Sequence, residues 1–163
     1  MGRQWELATA EAEKAGVRTV KLRLGVVLGH GGVLSKLKPL YQLGLGGRIG
    51  HGQQMFPWIS MEDLIQAMDF IFETPSLSGP INLTTPTPIT QEIFAQAFGK
   101  ALNRATFLTT PAWMLKSIYG QMAEELLLQG QSVTPTRLLE AGFIFSEPQI
   151  EQALASLFTH HKV

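Results

Sequence analysis

The chain has 163 residues, 45% of them hydrophobic and 16% charged, and its thirteen basic side chains balance thirteen acidic ones. That describes one globular unit with a real core, with no net field for nucleic acid or an anionic membrane and no run near the roughly 20 apolar residues that span a bilayer. With no cysteine, disulfides, thiolate nucleophiles and cysteine-based zinc sites are excluded; with no apolar signal core after Met1, the expected compartment is the cytoplasm.

Arg3 to Ala15 is rich in Ala, Glu and Lys and stops at Gly16, which predicts a helix with Trp5, Ala8 and Ala12 on one face. Val17 to Leu28 predicts one strand: Val20, Leu22 and Leu24 alternate with Thr19, Lys21 and Arg23, and Val26 to Leu28 is apolar throughout. Helix, glycine turn and buried strand in that order point to a parallel sheet. Val33 to Leu43 predicts a short helix interrupted near Pro39, and Gln54 to Ile59 a short strand. Ser60-Met-Glu-Asp63 reads as a capping box with Asp in place of Glu, opening a helix whose stripe is Leu64, Ala67, Met68, Ile71 and Phe72. Ile81 to Thr84 is a short strand. Thr90 caps a second helix to Leu102, with Ile93, Phe94, Ala97, Phe98 and Ala101 on its inner face. Residues 112 to 128 read as helical with a break at Gly120, Pro135 to Ala141 as a short helix stopped by Gly142, and Pro148 to Phe158 as the last helix.

Two glycine loops invite a phosphate-cradle reading. Gly44 to Gly52 holds five glycines in nine residues, but Ile49 stands where Gly-x-Gly-x-x-Gly needs its third glycine. Gly29-His-Gly-Gly32 follows a strand but lacks the same spacing, and no Gly-Lys-Ser/Thr occurs. A turn or pocket rim is the better reading of both. His30 and His51 sit in these loops without metal-ligand spacing, and His160 and His161 lie at the end of the chain, so no metal site is expected. A first-turn role accounts for Asp63. Arg23 admits two readings, a strand-end residue on a solvated face or a ligand-facing arginine at a carboxyl strand end. No complete catalytic set emerges.

The order of motifs carries more. Trp5-Glu6, Leu22-Arg-Leu-Gly-Val-Val-Leu28, Gly31-Gly32, Gly44-Leu-Gly-Gly47, Gly50-His-Gly-Gln53, Trp58-Ile59, Glu62-Asp63, Gly79-Pro-Ile-Asn-Leu83, Gly130-Gln131, Pro135 and Leu138-Leu-Glu-Ala-Gly-Phe143 run through nearly the whole chain. In that order they resemble the C-terminal portion of an NAD-dependent epimerase/dehydratase-type protein, of the extended short-chain dehydrogenase branch with a small C-terminal domain. Members carry labels such as sugar-nucleotide epimerase and cell-division inhibitor, and no residue here decides between them.

The resemblance implies an α/β fold, the C-terminal portion of a Rossmann-like core over residues 1–85 followed by a mostly helical domain over 86–163. It implies that the glycine fingerprint and the Tyr-x-x-x-Lys pair belong to a missing N-terminal half; neither Tyr41 nor Tyr119 has Lys four positions on. NAD or NADP would belong to the complete protein, with no tight binding by this chain alone and no catalytic residue within it. Gly25, Val26 and Val27, with Arg23, would form one wall of the nicotinamide site. Gln53, Gln54, Phe56, Trp58 and Arg48 would line the pocket of a small-molecule substrate. Phe56-Pro57 stands before Trp58-Ile59 where sugar-nucleotide epimerases carry a diphosphate-clamping arginine, which favours a substrate less anionic than a UDP-sugar. The expected partner is the missing half; the alternative function is a non-catalytic module that self-associates through its uncovered faces.

Overall fold

The structure is a computed structural model that describes residues 9–106, 108–110 and 132–159. The run expected as one strand is two. Strand β1 (Val20–Leu24) pairs in parallel with β5 (Gly79–Leu83), whereas β2 (Val26–Leu28) pairs in parallel with β4 (Trp58–Ser60). A third parallel pair joins β3 (Gly47–Ile49) to β6 (Leu108–Thr110). Partners so far apart in sequence need crossover connections, and the expected parallel α/β arrangement is what forms.

Among the described residues β1 has one strand partner. The Gly25 amide donates to the Leu83 carbonyl at 3.0 Å and the Gly79 amide to the Thr19 carbonyl at 2.7 Å. Backbone direction alternates along a strand, so the peptide groups of Val20, Leu22 and Leu24 aim at the other edge. Their side chains were expected to be the buried set, yet Leu22 is 38% and Leu24 57% exposed. Among the described residues Val20 packs against the cluster of Ile81 and Leu83, while Leu22 and Leu24 stay uncovered.

Among the described residues, four helices of ten or more residues and two of five residues frame the strands. Helix α1 (Ala10–Lys14) ends at Gly16 with φ +77°, the left-handed stop that glycine tolerates; its expected beginning lies outside the described residues. Helix α2 (Gly32–Gln42) continues through Pro39 rather than breaking there, burying Leu34, Leu37 and Tyr41. Helix α3 (Met61–Glu73) starts as expected, the Ser60 hydroxyl accepting from the Asp63 amide at 3.0 Å. Its buried face is Asp63, Ala67 and Ile71, while Met68 and Phe72 of the expected stripe are exposed, Phe72 by 80%. Helix α4 (Gln91–Ala101) is capped by Thr90 and packs against both β3 and the last helix, α6 (Ile150–Thr159). Being enclosed from two sides, it buries Gln91, Ala95 and Gly99 besides Phe94, Ala97 and Phe98, and leaves Ile93 exposed. Helix α5 (Thr136–Glu140) ends before Gly142 at φ +88°. The helical expectation for residues 112 to 128 lies outside the described residues.

The β2–β4 ribbon separates two apolar clusters. Val26, Leu28 and Trp58 join Leu34, Phe94, Phe98 and Leu154 on one side. Ile59, with Val27 packed against the same group, joins Ile81, Leu83 and Leu138 on the other. A strand pair covered on both faces explains why its sequence is apolar without alternation. Each cluster draws on residues from both sides of position 85. No helix among the described residues is long and apolar enough to cross a membrane.

Candidate functional site

Gly25 is where the chain changes partner. Its amide donates to Leu83, and the next amide, Val26, donates to the Pro57 carbonyl at 2.8 Å. A Cβ at Gly25 would stand 2.9 Å from the Pro57 oxygen and 3.0 Å from Thr84 Cγ2, closer than side chains pack. Only glycine lets three backbone segments meet here. Behind them the Thr84 hydroxyl donates to the Val133 carbonyl at 3.3 Å and the Thr85 hydroxyl to the Pro148 carbonyl at 3.0 Å, tying the seam to the C-terminal segment. Around the seam, Gly25 and Val27 are half-buried, Val26 is buried in the core, and Arg23 is exposed on β1 opposite Asn82.

The glycine-rich stretch forms β3 and a tight turn. Gly50 and Gly52 take φ +58° and +73°, which explains their type, and the His51 ring nitrogen Nδ1 accepts from the Gln53 amide at 3.0 Å. The structure brings Arg48 and Gln53 together at the surface around Glu92. Gln53 Nε2 donates to a Glu92 carboxylate oxygen at 3.0 Å, Arg48 Nη1 lies 3.9 Å from the other, and Arg48 Nε donates to the Thr109 hydroxyl at 3.2 Å. The Arg48 charge is thus already faced by a carboxylate.

The other three positions expected to line a pocket, Gln54, Phe56 and Trp58, lie inward. Gln54 donates from Nε2 to the Ile49 carbonyl at 3.0 Å, Gln91 Oε1 accepts from the Ile49 amide at 2.7 Å, and the Gln91 amide donates to the Gln54 carbonyl at 2.9 Å, so the two buried glutamines together stitch β3 to α4. Phe56 stacks on Phe94 with centroids 4.2 Å apart. Trp58 is fully buried, and its indole N–H has no hydrogen-bond partner among the described residues. Phe56 and Trp58 are therefore core residues and reach no open cleft among the described residues.

Two polar residues do more than their sequence positions announce. Asp63, buried in the first turn of α3, accepts from the Ser146 amide at 2.7 Å and the Glu147 amide at 3.1 Å. Burial pushes its carboxyl pKa above the ordinary range, against the pull of those two amide donors. A first-turn role therefore does not exhaust Asp63: its carboxylate clasps a segment more than eighty positions away. Arg18 caps the far end of the same helix, its guanidinium donating to the carbonyls of Ile71, Phe72, Thr74 and Leu77 at 3.1 to 3.3 Å. Neither partner set is visible in sequence, since both depend on the packed position of α3. Tyr41 is a core residue whose ring meets Phe98 edge-on at 4.6 Å, and burial raises its phenol pKa.

A cavity of about 330 Å³ opens directly beyond β2, lined by Gly29, His30, Leu34, Ser35, Lys38, Leu157 and Phe158. The space past the carboxyl end of a strand is where open α/β sheets hold ligands. No group of three or more metal-binding side chains occurs among the described residues.

Residues 110–157 match a family model described as a domain of unknown function, DUF1731. Across 92% of this chain and 50% of the relative, the sequence is 46% identical to the epimerase family protein Mb2239 of Mycobacterium bovis. The mouse epimerase family protein SDR39U1 is 39% identical over 93% of this chain and 52% of the relative. The chain is homologous to the C-terminal portion of epimerase family proteins. It spans about half the length of these curated relatives. Among solved structures, the human epimerase family protein SDR39U1 with NADPH superposes with a TM-score of 0.80 at 38% identity, covering 88% of this chain and 49% of that one. A nucleoside-diphosphate sugar epimerase from Corynebacterium glutamicum gives 0.76 at 31% identity, covering 96% of this chain and 30% of that one. The UDP-glucose 4-epimerase of Thermus thermophilus in complex with NAD, 18% identical with a TM-score of 0.68, shares the epimerase fold.

Proposed function

We propose that this chain is the substrate-side half of an NAD(P)-dependent epimerase- or reductase-like protein, supplying one wall of the nicotinamide site and part of a small-molecule pocket. The observation that carries the proposal is the edge of β1 left without a strand partner among the described residues, with Leu22 and Leu24 exposed beside it, in a chain that spans about half the length of its relatives. An uncovered apolar strand is a pairing site, and its natural occupant is a strand of the N-terminal half. The residues present fit only one end of a dinucleotide. Gly25 offers backbone unscreened by a Cβ and Val27 a half-buried apolar side chain, whereas no glycine fingerprint is available for the pyrophosphate. Val26 and Trp58 hold that wall from behind. When bound, the dinucleotide supplies hydride transfer; this chain orients the ring and excludes water from one side. Arg48 is occupied by Glu92, which suits a substrate less anionic than a nucleotide-sugar.

Amide exchange tests the pairing. The N-terminal half of human SDR39U1, added to this chain, is expected to slow exchange at Val20, Leu22 and Leu24 and leave Lys21 and Arg23 unchanged. Protection of all five amides in a monomeric chain alone would overturn it. A second reading, self-association without catalysis, is favoured by the exposed row Met61, Ile65, Met68 and Phe72 on α3, spaced four, three and four residues apart. Light scattering separates the two: a stable monomer at high concentration removes the second.

A further inference from the structure

We propose that the cavity between α2 and α6 binds a small organic carboxylate with a short apolar body. Its described lining carries one charge, that of Lys38. Lys38 contributes an ammonium, no Asp or Glu is among the described lining, and Lys38 has no ion-pair partner among the described residues. Its Nζ instead stands 5.7 Å from the centre of the Phe158 ring, an arrangement that holds the ammonium at the apolar wall. The cavity also adjoins the first turn of α2, whose cap, Gly31, has no side-chain acceptor to offer. The positive end of a helix therefore adds to the lysine. The Lys38 side of the lining favours a single negative charge, while the Ser35 hydroxyl beside it already donates to the Gly32 carbonyl at 2.9 Å; Leu34, Leu157 and Phe158 make the other side apolar. About 300 Å³ is the lower end of ligand-pocket sizes, so the occupant is small. One lysine neutralises a monoanion, and the apolar half gives a bare phosphate nothing to bury. The site does not require the dinucleotide reading, because every residue it uses belongs to this chain.

The test is an NMR titration of the 163-residue chain, without dinucleotide, using hexanoate, 1-hexanol, hexylamine and inorganic phosphate as separate probes. Hexanoate is expected to move the amides of Gly29, Ser35 and Lys38 saturably, with the other three probes at least tenfold weaker. Lys38→Met, which keeps the stem and removes the charge, is expected to weaken hexanoate at least tenfold; Lys36→Met, at an exposed position off the cavity, leaves it unchanged. Equal binding of hexanol or phosphate, no hexanoate binding, or an unaffected Lys38→Met variant would each overturn the proposal. Hexanoate binding in a protein whose assembled halves ignore NADPH would keep this site and reject the nicotinamide wall; the reverse result would reject only this site.

Discussion

At Gly25 a methyl group is the whole test. The nearest atoms are a carbonyl oxygen and a buried threonine methyl, neither of which can retreat without moving β4 or β5. Gly25→Ala is expected to cost about 1–3 kcal/mol, the usual range for overpacking. In a domain of this size, each kcal/mol lowers Tm by about 2–4 °C. A thermal melt within a degree of the parent would show that the seam yields. Asp63→Asn replaces one acceptor oxygen by a donor facing a backbone amide, so one of the Ser146 and Glu147 contacts becomes repulsive. Loss of about 1–3 kcal/mol is expected for a buried unsatisfied donor, measured by urea unfolding; an unchanged midpoint would mean that the clasp contributes nothing. The capping role of Ser60 was legible from its spacing to Asp63, because a cap is local. The clasp was not, because nothing near Asp63 in sequence names residues 146 and 147.

At the level of elements, local rules placed the helix starts well and the covered faces poorly. Thr90 and Ser60 cap where their side-chain chemistry says they should. Periodicity tells which residues share a face, but what lies opposite that face is a tertiary fact. Pattern alone puts Met68, Phe72 and Ile93 on the inner faces of their helices, yet all three are exposed, while Gln91 and Gly99 are buried because α4 is packed from two sides. The break at Gly25 is invisible in the sequence for the same reason: a run of apolar residues does not reveal that its two halves have different strand partners. The exposed apolar positions also predict behaviour. Leu24→Thr combined with Phe72→Ser is expected to reduce self-association in light scattering while changing stability by no more than about 0.5 kcal/mol per site, as for surface positions generally. Unchanged association would place the sticky surface elsewhere.

For the whole molecule, the ordered motif string was more informative than any single motif, since it survived where each fingerprint failed. It points to the epimerase family proteins, of which the chain spans about half the length, and the parallel strands, with β1 paired on one side among the described residues, give that a physical form. The positions that the resemblance assigns to a substrate pocket divide in two. Arg48 and Gln53 meet at the surface as a pair, whereas Gln54, Phe56 and Trp58 were recognisable as a group only by resemblance and turn out to be buried. The cavity beyond β2 depends on α6 folding back over α2, which no local pattern encodes. The most direct test of the account is a calorimetric titration of NADPH into this chain alone and then into the chain assembled with an N-terminal half. Affinity weaker than about 1 mM, worth about −4.1 kcal/mol, is expected alone, with saturable binding on assembly. Micromolar affinity in the isolated chain would contradict it.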